Sequence, residues 1–172
     1  DVADIYHVPL MVEEEGLDQY VLEHFGLANE ALPEGERANG WREIVTSEKN
    51  DEVDVALVGK YDLEDAYMSI HESLKHAGFE LGADVNVHWV SADEMADGHD
   101  GQLEDVDGVI VPGGFGMRGS EGKIEAVRYA RENDVPFLGL CLGFQMAVVE
   151  YARHVLGLED AHSAEMVEDT PH

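Results

Sequence analysis

From residue 53 onward the chain repeats one pattern: a short β-branched run, a turn, then apolar residues three and four apart. Residues 53–58 read as a strand ending at Gly59. Tyr67, Ile70, Leu74 and Ala77 follow at helical spacing and close on Gly78, a residue type that commonly stops a helix. Residues 85–90 and 108–111 read as the second and third strands, the latter running into Pro112-Gly113-Gly114. Ile124, Val127 and Ala130 mark the next helix, residues 135–140 the fourth strand, and Phe144, Ala147, Val148, Tyr151 and Val155 the apolar stripe of a last helix. Strands that are apolar almost throughout are buried on both faces. Alternating with helices, they predict an α/β fold with a doubly wound parallel sheet. Such sheets bind ligands outside the carboxyl ends of their strands, where the glycine-rich stretches 112–119 and 139–143 both fall.

The first 52 residues have a different texture. Residues 1–28 hold a short apolar entry (Ile5, Val8, Leu10) and an amphipathic stretch with Leu17, Tyr20, Val21 and Phe25 at helical spacing. Residues 29–52 carry Pro33, Gly35, Asn39 and Gly40 around a brief apolar cluster of Trp41, Ile44 and Val45, the pattern of a linker with one short helix. The division expected is therefore 1–28, a linker over 29–52, and an α/β unit over 53–172.

Composition narrows the function. With 38 acidic against 10 basic residues the net charge is -28, and such a surface repels phosphates, so nucleic acid is not an expected partner. The acids recur along the whole chain, the pattern of a solvated acidic surface such as salt-loving organisms use. No apolar run approaches the roughly 18 residues of a membrane span. The single cysteine excludes an internal disulfide and fits a reducing cytoplasm.

That cysteine sits in GLCLG (139–143), where the fourth strand turns into the last helix. A glycine-x-nucleophile-x-glycine run at such a turn is a nucleophile elbow: a tight bend raises the side chain above the sheet edge, and the flanking positions crowd neighbouring backbone. Cys141 is the expected nucleophile. A helix amino end favours thiolate over thiol, and the Leu142 N–H, lacking a helical partner, is free to stabilise an oxyanion. The loop after the third strand is placed to offer a second donor, from Gly114.

Blander readings compete. A lone cysteine in an apolar stretch is more often a buried filler, and a glycine pair more often a plain turn. A phosphate-cradling loop would need a G-x-x-x-x-G-K-[ST] run, for which Lys123 is out of register. The nine histidines show no ligand spacing, so no metal site is expected; His71 and His76 read as surface residues. A cysteine nucleophile also needs a base, usually a histidine held by a carboxylate. Of the histidines beyond it, His154 lies 13 residues up the same helix, His162 has only Glu165 three residues on, and His172 ends the sequence. None completes a triad.

At this point the residues resemble a known family. Val58-Gly59-Lys60-Tyr61 with Asp65-Ala66-Tyr67, VPGGFGMRGSEGK (111–123), ARENDVPFLGLCLGFQMAVVEYARHV (130–155) and Ser163-Ala164-Glu165 are similar to CTP synthases, and more broadly to the flavodoxin-like class I glutamine amidotransferase domain. Asp1-Val2 and IYHVPLMVEEEGLDQYV (5–21) resemble the end of that family's synthetase (amidoligase) domain. The resemblance implies amination of UTP to CTP with ATP and Mg²⁺, GTP as effector, ammonia drawn from glutamine, and a homo-tetramer at full length. It also implies that Gly114 and Leu142 hold the oxyanion, and that Leu142, Gly143, Phe144, Gln145 and Glu165 bind glutamine. Arg118 would belong to the GTP-responsive lid, and Asp1 and Val2 to the tail of an ATP-contacting stretch. The family's His-x-Glu is absent here, so the sheet is expected to be truncated at its C-terminal side, with an exposed edge. Residues 1–172 alone are expected to be inactive. The competing readings are another class I amidotransferase, such as GMP synthase or a carbamoyl phosphate synthetase subunit, and a non-catalytic flavodoxin-like module.

Overall fold

The computed structural model describes residues 4–28, 32–33, 36–61, 64–98 and 100–172. Asp1 and Val2 and part of the 29–52 segment lie outside the described residues. Four strands, β1 (Asp51–Gly59), β2 (Ala83–Ser91), β3 (Gly108–Val111) and β4 (Phe137–Gly139), form a sheet in the order β2-β1-β3-β4 with every neighbour parallel. The doubly wound α/β architecture read from the strand pattern is the one observed. Strand β1 starts two residues before the apolar run, because Asp51 and Glu52 extend the ladder opposite Ala83 and Asp84 while their side chains stay in solvent.

Side chains along β1 alternate between two cores, as the two-residue period of a strand requires. Ala56 and Val58 pack with Val90, Met95, Val109, Val111, Ala126 and Val127. Val55 and Leu57 pack on the opposite face with Tyr67, Ile110, Ile70 and Leu74. The first face is covered by α5 (Ala92–Ala96) and α6 (Ser120–Glu132), the second by α4 (Met68–Leu81). Leu57 is fully buried in this second layer. Leu57→Ala is expected to cost about 2–5 kcal/mol, read as a lowered denaturation midpoint without a change in the slope of the unfolding transition.

Helix α4 does not stop at Gly78. It runs on to Leu81, and Gly82, at φ 68°, ends it. Gly78 is glycine for another reason: a Cβ there would stand 2.5 Å from the Ala83 carbonyl oxygen, so the helix could not lie so close to β2. The last helix, α7 (Leu142–Glu150), continues into a π-turn over Tyr151–Val155. Its buried residues are Leu142, Gly143, Met146, Val149 and Glu150, whereas most of the apolar stripe read from the sequence faces outward: Phe144 is 63% exposed and Val148 55%. Among the described residues nothing pairs with the outer edge of β4, where Leu138 is also exposed.

The amino-terminal segment folds as α1 (Val8–Glu14), α2 (Leu17–His24) and α3 (Asn39–Val45), the last being the short helix expected there. Tyr6 ties it to α4. Its hydroxyl bonds to Glu72 and His76, its ring stacks on Trp41 and meets Phe79 edge-on, and Asp4 pairs with Lys75. His76 is thus exposed yet engaged. The apolar face of α2, with Leu17, Tyr20 and Val21, remains in solvent, as does Phe25 just after it. No helix among the described residues is long and apolar enough to cross a membrane.

Candidate active site

Cys141 stands between β4 and α7 with an exposed side chain and a backbone at φ 52°, ψ −106°. An L-residue with a side chain is strained in that region, and the flanking glycines explain why the bend closes so tightly. A Cβ on Gly139 would lie 2.7 Å from the Gly143 carbonyl carbon and the Phe144 nitrogen. On Gly143 it would lie 1.9 Å from the Val111 carbonyl oxygen. Only hydrogen fits at either place. The elbow is therefore wedged against the end of β3, and the thiol rises at the carboxyl edge of the sheet.

The loop leaving β3 reaches the same point. A Cβ on Gly113 would stand 3.6 Å from Cys141 Cβ, and one on Gly114 3.6 Å from Leu142 Cδ2. The two glycine-rich stretches singled out from the sequence thus converge on the thiol. No described residue accepts a hydrogen bond from the Gly113, Gly114 or Leu142 N–H groups, while Gly143 donates to Leu140 and Gln145 to Cys141. Gln145 adds an unpaired acceptor, since its side-chain oxygen is buried without a partner. Phe144 projects into solvent beside it.

Two other sequence-derived candidates make contacts of their own. Glu165 is exposed, and its N–H bonds to Ser163 Oγ. Its neighbour Met166 packs on Ile124, Leu142, Met146 and Val149, which puts this turn beside the amino half of α7. Arg118 is 72% exposed and pairs with Asp93 of α5 at 2.8 Å. The histidines are engaged elsewhere: His154 bonds to buried Glu150 at 3.2 Å, which Arg131 also holds, and His162 Nδ1 accepts from the Ser163 N–H.

Two lysines escaped the sequence reading as site residues. Lys123 is wholly buried, and its Nζ donates to the Pro112 carbonyl at 2.9 Å. Lys60, just after β1, is 8% exposed and donates to the Phe115 carbonyl. A signal for Lys123 existed: Val127 and Ala130 lie four and seven residues on, so all three share the buried stripe of α6.

The description "Glutamine amidotransferase class-I" belongs to the family model that matches residues 62–170. The chain belongs to this family. A solved structure of the Trypanosoma brucei CTPS glutaminase domain with bound acivicin is similar in fold, with a TM-score of 0.66 and 39% identity, over 70% of this chain and 48% of that one. Curated relatives match along the whole chain. The CTP synthase of Haloarcula hispanica is 71% identical and that of Natronomonas pharaonis 73% identical, each over 172 residues. The chain spans 31% of the length of each.

Proposed function

We propose that this chain carries the glutamine-hydrolysing site of a CTP synthase, with Cys141 as nucleophile. The observation that carries the reading is the strained, exposed Cys141 at an elbow that the 112–116 loop approaches, with N–H groups in both stretches that no described residue accepts. The Cys141 sulfur adds to the amide carbon of glutamine, and the carbonyl oxygen takes the negative charge and receives hydrogen bonds from Gly114 and Leu142. Fixed donors of this kind stabilise the charge as it develops, at no cost in reorganisation. The carbon–nitrogen bond then breaks, the nitrogen takes up the thiol's proton and leaves as ammonia. Water cleaves the resulting thioester to glutamate and restores the thiol. Gly143, Phe144, Gln145 and Glu165 bind the glutamine, with Glu165 meeting its amino group. The general base is a histidine that the described residues of this chain do not supply.

On this reading the ammonia aminates UTP in an ATP- and Mg²⁺-dependent reaction. GTP acts through the loop bearing Arg118, and the full-length enzyme is a cytoplasmic homo-tetramer. Residues 1–28 form the end of the synthetase domain, 29–52 a linker and 53–172 part of the glutaminase; Asp1 and Val2 would contact ATP. The whole-length similarity to CTP synthases supports this assignment over other amidotransferases. A net charge of -28, together with relatives from Haloarcula and Natronomonas, supports an acidic surface suited to high salt.

The test is labelling of the full-length protein with an electrophile built on the glutamine skeleton. Stoichiometric modification of Cys141, slowed at least tenfold by saturating glutamine, is the expected result. Modification that glutamine does not slow would overturn the reading.

A further inference from the structure

We propose that Lys123 is a positioning residue of the glutamine site, its buried ammonium holding the 112–115 loop so that the loop's amide donors face the group bound at Cys141. The inference rests on the function proposed above and adds a residue to it.

The Gly113-Gly114 pair is enclosed by the elbow and the two lysines: a Cβ on Gly113 would stand 3.6 Å from Cys141 Cβ, and one on Gly114 3.6 Å from both Lys123 Nζ and Leu142 Cδ2 and 3.3 Å from Lys60 Cε. Lys123 holds the Pro112 carbonyl at the start of the loop and Lys60 holds the Phe115 carbonyl beyond it. A peptide unit is planar and trans, so a carbonyl drawn toward the lysines turns the next N–H away from them. With Pro112 so held, the Gly113 N–H is directed away from Lys123, and the second anchor at Phe115 narrows the orientations open to the Gly114 amide between them. Glycine is flexible enough that, without anchors, this loop would sample many orientations.

The charge itself is unusual. Burying an ammonium without a carboxylate partner is costly, and no described carboxylate lies within ion-pair distance of Lys123. The nearest ionic pairs around the amino end of α6, Arg118 with Asp93 and Arg153 with Glu121, are closed on each other. The titratable groups acting on Lys123 are Lys60 and Cys141. Burial, reinforced by the like charge of Lys60 and opposed by Cys141, brings its pKa down to about 8. A methionine of similar volume would fill the space at less cost. What methionine lacks is the donor and the positive charge beside the place where an oxyanion forms.

The test uses the full-length protein with the variants Lys123→Met and Lys123→Gln, and glutamine hydrolysis measured across pH. Removing a direct oxyanion donor costs roughly 10²–10³ in kcat; acting through the loop, Lys123→Met is expected to lower kcat about tenfold with KM unchanged within about twofold. Lys123→Gln, which keeps a donor for Pro112, is expected to fall between Lys123→Met and the parent. In the parent, kcat is expected to decline as pH rises through about 8, where the ammonium loses its proton, and this limb should vanish in both variants. A filler role would leave the pH limb untouched. Variants with parental kcat and pH profile overturn the proposal while glutamine-protected labelling of Cys141 still stands. If neither variant folds, a parental profile flat between pH 7 and about 9 overturns it by itself. Loss of the labelling result removes both readings together.

Discussion

Cys141→Gly is expected to abolish glutamine hydrolysis by the full-length protein and, at the same time, to make the fold more stable. The loss of activity should reach about four orders of magnitude or more, as removal of a catalytic nucleophile does elsewhere. The gain in stability comes from the backbone. At φ 52°, ψ −106° a residue with a Cβ is strained, at about 1–3 kcal/mol; glycine relieves that strain but gives back about 0.5–1 kcal/mol in chain entropy. A net rise of about 1 kcal/mol should appear as a higher denaturant midpoint. The opposed signs separate this site from an ordinary buried cysteine, whose loss would leave a cavity and lower the midpoint. A variant less stable than the parent would show that the elbow is not strained.

The second large effect is expected at Gly143. An alanine Cβ would press to 1.9 Å from the Val111 carbonyl oxygen, a backbone atom in a central strand that cannot swing aside. Either α7 moves off the sheet, breaking its packing of Leu142 and Met146 against Ile124, or β3 yields its ladder to β4. Overpacking of this kind costs about 3 kcal/mol or more. Because the same shift carries Cys141 away from Gly113, glutamine-protected labelling should be lost even in protein that remains folded. Gly157→Ala is the control: a Cβ there meets nothing within 4 Å, although its φ of 74° adds local strain.

Together the two substitutions describe one device, in which the sheet edge supplies the force and the thiol bears the strain. Gly139 and Gly143 let α7 descend onto the ends of β3 and β4, and the residue between them is bent upward. Folding energy from buried strands maintains a conformation the local sequence would not choose.

Much of this was written in the chain. The β-branched runs, the helical spacing between them and the glycines at their ends determined a parallel α/β sheet, because strand and helix periods are local geometry. GLCLG and PGGFG marked the site because a tight strand-to-helix turn admits so few residue types. Other features required the assembled fold. Helix α7 is apolar on nearly every side, so spacing alone did not reveal that Phe144 and Val148 would face outward while Met146 and Val149 went in. Gly78 and Gly82 look equally suited to ending a helix, and only the approach of β2 distinguishes the packing glycine from the cap. The burial of Lys123 and the pairing of Arg118 with Asp93 join segments 11 and 25 residues apart. Their partners are chosen by how α6 settles against the sheet and beside α5, a matter of tertiary packing that no local periodicity encodes.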